Sequence, residues 1–81
     1  MPQVTQQDTE KVMIAFIRER RARAGQHLSL DDLYNRVNDE GIEYVEFYDE
    51  ALDRLTDEGV VTIEGLEMVL TDEGERRVYA K

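Results

Sequence analysis

Residues 55–74 contain one pentapeptide twice, on either side of a strand-like stretch, and read LTDEGVVTIEGLEMVLTDEG. The first copy follows a helical pattern, so Gly59 is placed to adopt the positive φ that ends a helix. The next four residues, 60–63, are β-branched and predict a strand. The second copy follows a strand pattern, so Thr71 is placed to cap a new helix over residues 72–80. The stretch therefore predicts a helix, a two-stranded hairpin and a short helix.

The size of the sheet depends on two further features. The hairpin is predicted to turn at Glu64-Gly65, where glycine supplies a positive φ. A two-residue turn and a single-residue bulge are both compatible with these residues. A short extended piece at His27–Leu28 adds a third strand if it pairs with the hairpin, so both two and three strands remain open.

The first predicted helix runs from Asp8 or Thr9 to Ala24, because apolar side chains recur there at helical spacing. They are Val12, Met13, Phe16 and Ile17. Ile14 lies off this apolar face and is interpreted as an isolated surface residue. Residues 1–8 are predicted to form a flexible N-terminus, and residues 9–81 a single domain.

Two more helices are predicted, joined by a glycine turn in the manner of a helix-turn-helix. Ser29 caps the second helix, and residues 39–41, Asp-Glu-Gly, end it. The third helix is predicted to have about four turns, because apolar side chains recur at three- and four-residue steps. They are Tyr44, Phe47, Tyr48, Ala51, Leu52 and Leu55. The core is predicted to hold Phe47 and at least two of Tyr34, Tyr44 and Tyr48, with Tyr44 partly exposed.

The composition restricts the class of protein. Its 81 residues suffice for one modest core, and the lack of cysteine excludes disulfides and thiolate chemistry. The longest apolar run, residues 12–17, is far shorter than the roughly 20 residues of a membrane span. With a polar N-terminus, the chain is expected to be soluble and cytoplasmic, without membrane binding.

The end of the third helix and the start of the last one resemble the winged helix-turn-helix superfamily, in particular small bacterial and archaeal transcription regulators. The resemblance is carried by Leu52, Leu55, Gly59, Val60 and Val61, and by Leu70-Thr71-x-x-Gly74. It implies an α+β, mostly α fold: a three-helix core, a wing of two or three strands and a short C-terminal helix. In DNA-binding members the third helix enters the major groove and the wing contacts the backbone.

Charge is distributed unevenly along the chain, whose net charge is −9. Residues 37–75 carry fourteen acidic side chains and a single basic one, Arg54. Most of these acids fall on the positions that the resemblance assigns to the exposed face of the third helix and to the wing. Carboxylates there repel phosphates, so the sequence disfavours groove binding in the usual pose.

Catalytic and metal-binding patterns are weak. His27 is the only histidine, and no nucleophile-and-base arrangement accompanies it. A calcium loop with Gly59 at its sixth position would place Arg54 at the first ligand position, so that pattern fails. We expect no enzyme activity, no cofactor and no metal.

Two functions remain. The first is a small regulatory module that binds a protein partner with a basic surface. Its predicted binding residues are Glu43, Tyr44, Glu46, Asp49, Glu50, Asp53, Glu64 and Glu67. The alternative is a DNA-binding transcription regulator that works at high salt or uses the arginine-rich first helix.

A basic docking patch is a second candidate surface, formed by Arg18, Arg20, Arg21, Arg23, Arg76 and Arg77. The arginines of the first helix also fit a solvated helix end that complements its dipole. As a docking patch, the cluster would bind an acidic surface, including that of a second copy of the chain. The chain is therefore expected to be a monomer or a weak homodimer.

Overall fold

The computed structural model of the protein describes residues 3–80, which form five helices and one three-stranded antiparallel sheet. The elements are α1 (Gln6–Glu19), β1 (His27–Ser29), α2 (Leu30–Glu40), α3 (Ile42–Val45), α4 (Tyr48–Asp57), β2 (Val61–Glu64), β3 (Glu67–Leu70) and α5 (Asp72–Val78). The fold is α+β and mostly helical, as predicted, and its arrangement is compatible with a winged helix. No helix within these residues is long and apolar enough to cross a membrane.

Helix α1 begins earlier and ends earlier than predicted. Its start is a capping box, in which the Asp8 N–H donates to the Thr5 hydroxyl and the Thr5 N–H donates to the Asp8 carboxylate. Residues 6–8 therefore belong to the helix. At the other end the predicted extension to Ala24 is wrong, because Arg21 adopts a φ of 54°. The N–H of the buried Ala22 then donates to the Ile17 carbonyl, which closes the helix with a Schellman motif.

The predicted third helix is divided in two, so its prediction as one continuous helix is wrong. Residues 46–47 separate α3 from α4, and the Phe47 N–H donates to the Tyr44 carbonyl three residues back. The buried Thr9 hydroxyl of α1 also donates to that carbonyl, at 2.9 Å. In a continuous helix the Tyr44 carbonyl would instead accept from the Tyr48 N–H. A contact with α1 thus favours the break.

The two copies of the pentapeptide have opposite roles, as predicted, and they contact each other. Gly59 follows α4 with a φ of +77°, whereas Thr71 caps α5 by accepting from the Gly74 N–H at 2.8 Å. The Thr71 N–H donates to the Val60 carbonyl at 3.1 Å, whereas the Thr71 hydroxyl lies closest to the carbonyl of Gly59, the last residue of the first copy, at 2.5 Å, with the Val60 carbonyl at 3.0 Å. A Cβ at the buried Gly74 would overlap the Val60 carbonyl oxygen. The second copy therefore packs directly against the end of the first.

The sheet has the order β1-β3-β2, so of the two alternatives the three-stranded sheet is confirmed: the extended piece predicted at His27–Leu28 pairs with the hairpin as β1. Glu64 lies directly opposite Glu67, and residues 65–66 form a two-residue turn. Gly65 supplies the positive φ, at 62°. The hairpin turn is therefore the two-residue alternative rather than the bulge, but it lies at Gly65-Leu66 rather than at the predicted Glu64-Gly65, because Glu64 still belongs to β2 and pairs with Glu67. Helix α5 follows β3 and ends two residues before the predicted end at Ala80.

The core lies between α1, α2, α4, the sheet and α5. The predicted apolar face of α1 is buried, together with side chains from every one of these other elements. The prediction of Phe47 as a core residue is wrong: this side chain is half-buried at the break between α3 and α4 and lies outside the buried core. Tyr44 and Tyr48 are half-buried against the core, and so is Ile14, which was predicted to be isolated at the surface.

Candidate functional site

Seven carboxylates are exposed on α3, on α4, in the link between them and on the hairpin; we call them the acidic surface. They are Glu43, Glu46, Asp49, Glu50, Asp53, Glu64 and Glu67. Within residues 3–80 none of the seven pairs with a lysine or arginine, and only Glu67 has an ionisable basic partner: its carboxylate lies 3.1 Å from the Nδ1 atom of His27, a contact that is ionic only when the imidazole is protonated. The structure therefore places all seven predicted acidic residues in solvent and leaves most of their charge uncompensated by the described chain.

Helix α4 positions three of these carboxylates because of its amphipathic sequence. Ala51 and Leu55 are buried in the core, so a periodicity of 100° per residue directs Asp49, Glu50 and Asp53 outward. The first turn of α4 is acidic, which complements the positive end of the helix dipole. The same acids that favour the helix start thus make its exposed side negative.

Arg54, the only cation on α4, does not neutralise the acidic surface. Its Nε atom lies 2.7 Å from Glu58, which also binds Arg77 at 2.9 Å. These two arginines hold the pKa of the Glu58 carboxyl below its usual value, chiefly through hydrogen bonds. The positive charge of Arg54 is therefore already matched by a carboxylate at the end of α4.

The hairpin adds two carboxylates and two exposed apolar side chains. Glu64 and Glu67 are directly opposite each other across the two strands, an unfavourable pairing of like charges. Leu66 at the turn is 80% exposed, and Ile63 is 42% exposed. Neither Lys nor Arg occurs between residues 59 and 70. The hairpin tip is thus apolar with an acidic edge.

Tyr34 and Tyr48 form a second apolar surface, which we call the aromatic notch. Their ring centroids are 5.3 Å apart and the rings are tilted by 54°. The Tyr48 hydroxyl lies 3.4 Å from the Leu30 carbonyl, and the Leu30 N–H donates to the Leu66 carbonyl at 3.0 Å. The aromatic notch is thus connected to the hairpin tip through a single residue of α2.

Sequence reasoning missed both Tyr34 and Leu66 as surface residues. Tyr34 lies on the predicted apolar face of α2 but is 41% exposed, so it sits at the margin of that face. Leu66 directly follows the predicted turn glycine. An apolar residue in that position indicates an exposed apolar side chain at the hairpin tip, and this signal was present in the sequence. Tyr44, the aromatic residue that was predicted to bind a partner, is half-buried against the core, which agrees with its predicted partial exposure.

The six arginines of the predicted basic patch contact different parts of the chain. Arg18 donates to the Val78 carbonyl at 2.8 and 3.2 Å, and the Arg23 guanidinium lies 4.4 Å from the centre of the Tyr79 ring. The other pairings are Arg20 with Asp32, Arg76 with Glu73, and Arg77 with Glu58. Arg21 is exposed in the loop after α1. Five of the six arginines therefore have an intramolecular contact.

His27 is exposed on β1 and bonds Glu67 on β3. Among residues 3–80, no group of three or more His, Asp and Glu side chains is arranged to hold a metal ion.

Comparisons of the chain with protein-family models, curated proteins and solved structures find no match. Function is therefore inferred from the acidic surface and its apolar neighbours.

Proposed function

We propose that the chain folds as a winged helix in which α2, α3 and α4 form the helix-turn-helix and β2 and β3 form the wing. The order of the elements supports this assignment, as does the glycine turn after α2. In this fold α4 occupies the position of the recognition helix. The acidic surface then coincides with the side that DNA-binding winged helices direct at the duplex.

We propose further that the protein is a small, non-enzymatic regulatory module that binds the basic surface of a protein partner. The observation that carries this proposal is the set of six exposed carboxylates without an ion pair in the described chain. A partner rich in arginine or lysine would supply the missing countercharges. By binding such a surface, the module would also compete with nucleic acid for it.

The magnitude of the electrostatic effect favours a protein partner over DNA. An exposed charge pair contributes on the order of 0.5–1 kcal/mol, so six carboxylates held near phosphates would cost several kcal/mol. Typical non-specific DNA binding corresponds to about 5–8 kcal/mol and itself depends on released counterions, which acids cannot provide. Repulsion of this size offsets most of that binding energy.

A charge reversal in α4 tests the proposal. Glu50→Lys should weaken binding of a labelled arginine-rich peptide and create measurable affinity for a random-sequence DNA duplex at low salt. Asp39→Lys is the matched control, because it changes the net charge equally but lies beside Arg20 and Arg36, on the side of α2 that borders α1. If the wild-type chain binds the duplex and Glu50→Lys leaves both affinities unchanged, the acidic surface is not the binding site.

A further inference from the structure

We infer that the acidic surface recognises arginine in particular, and that a partner's guanidinium group sits on the aromatic notch between Asp31 and Asp49. This inference rests on the proposed function and specifies its partner: an arginine-bearing segment with an adjacent apolar side chain. It differs from a general attraction between opposite charges because it assigns the selectivity to Tyr34 and Tyr48.

The surroundings of the aromatic notch fit a cationic ligand. Asp31 and Asp49 are exposed, and neither forms an ion pair within the described part of the chain. Partial burial raises the pKa of Tyr48, and the nearby carboxylates of Asp49 and Asp31 raise it further. Asp49 directly follows Tyr48, and Asp31 lies one helical turn before Tyr34 on α2, so a cation at this position would meet two aromatic rings and two carboxylates that have no ion pair in the described chain.

The hairpin tip supplies the apolar part of the surface. Leu66 is the most exposed large apolar side chain of the described residues, and its carbonyl is bonded to Leu30 next to the aromatic notch. Protein interfaces commonly combine an apolar centre containing aromatic residues with a polar rim. Here Leu66 and Tyr34 would form the centre, and the carboxylates of Asp31, Asp49 and Glu67 the rim.

Arginine fits this arrangement better than lysine does. Its planar guanidinium stacks on aromatic rings and binds carboxylates through two hydrogen bonds, whereas the lysine ammonium is strongly hydrated. The chain itself places arginines over rings at two sites, Arg23 over Tyr79 at 4.4 Å and Arg20 over Phe16 at 5.1 Å. Within residues 3–80 no arginine lies over the rings of the aromatic notch, of which Tyr34 is exposed and Tyr48 half-buried.

Two labelled peptides of identical length test the inference, one alternating arginine with leucine and the other alternating lysine with leucine. Anisotropy titrations should show about fivefold tighter binding of the arginine peptide by the wild-type chain. Tyr34→Leu should abolish that preference, because it keeps an apolar side chain but removes the ring. Tyr34→Phe should retain it. Ile42→Ala, which alters an exposed apolar residue on α3, should change neither affinity.

Each outcome separates the inference from the proposed function. Equal binding of both peptides by the wild-type chain, or a preference that survives Tyr34→Leu, would overturn the role of the aromatic notch while leaving a cation-binding acidic surface intact. Failure of both peptides to bind would overturn the proposed function as well. Amide chemical shifts upon addition of the arginine peptide should change most at residues 31, 34, 48 and 66.

Discussion

Replacing Gly74 by alanine tests how closely α5 approaches Val60, the residue directly before β2. In an exposed helix the substitution would stabilise the protein by about 1 kcal/mol, because alanine is the better helix former. Here the new methyl group would overlap the Val60 carbonyl oxygen and come within 2.8 Å of the Leu70 Cδ1 atom. Backbone must therefore move, and overpacking of this kind costs about 1–3 kcal/mol.

The movement would also weaken two hydrogen bonds. The Val60 carbonyl accepts from the Thr71 N–H, and the adjacent Gly59 carbonyl accepts from the Thr71 hydroxyl. Each bond contributes about 1 kcal/mol. After the gain in helix propensity is subtracted, we expect Gly74→Ala to lower the free energy of unfolding by about 2 kcal/mol. For a domain of this size that corresponds to a melting temperature lower by about 8–16 °C.

Thermal unfolding followed by circular dichroism measures this effect. Glu73→Ala is a suitable control, since it alters the same turn of α5 at an exposed position and should change stability by no more than about 0.5 kcal/mol. If Gly74→Ala is as stable as the wild type, the new methyl group costs no more free energy than the gain in helix propensity. That result would refute the close approach between Gly74 and the Val60 carbonyl.

Two further substitutions test local features of the fold. Arg21→Gly should stabilise the protein by up to about 1 kcal/mol in urea unfolding, because glycine adopts the positive φ of this position without strain. Glu58→Gln should reduce the loss of stability between pH 6 and pH 3, because Arg54 and Arg77 hold the pKa of the wild-type carboxyl below its usual value of 4.5.

The sign of the pH effect follows from the direction of the pKa shift. A carboxyl with a lowered pKa stabilises the folded state above about pH 4.5, and this contribution disappears as the pH falls through the lowered value. Equal pH dependence in wild type and Glu58→Gln would mean that these ion pairs do not form in solution.

For Arg21, the control is Arg21→Ala, which retains the strained φ; an equal gain in stability from alanine would rule out backbone strain as the cause.

Local signals in the sequence accounted for much of the fold. The caps at Ser29 and Thr71 and the positive φ of Gly59 and Gly65 depend on neighbours within a few residues, so their chemistry could be identified without a structure. The apolar face of α1 was equally clear from its spacing. Each of these features is confirmed because no distant contact opposes the local preference.

Long-range contacts explain the errors. The break between α3 and α4 involves the Thr9 hydroxyl, which lies 35 residues before the Tyr44 carbonyl that it binds. The end of α1 depends on the burial of Ala22 and on an arginine in a conformation that usually requires glycine. Periodicity alone could reveal neither effect, and it placed Phe47 in the core for the same reason.

The candidate site was predictable in its charges but not in its apolar part. Exposure of Glu46 and Glu50 followed from amphipathicity, since the opposite side of the segment carries the core residues. The spacing predicted at least two of Tyr34, Tyr44 and Tyr48 in the core without saying which one is exposed. The exposure of Tyr34 depends on how α2 packs against its neighbours in the tertiary fold. The internal pairing of the arginines likewise depends on the tertiary fold.

The most direct test of the central claim compares how the wild-type chain binds two ligands as salt is raised from about 50 to 200 mM. One ligand is a random-sequence DNA duplex, and the other is the arginine-rich peptide. We predict binding of the peptide that weakens steadily with salt, and no binding of the duplex throughout. Binding of the duplex, with log K falling as log salt rises, would contradict the claim and favour the DNA-binding alternative.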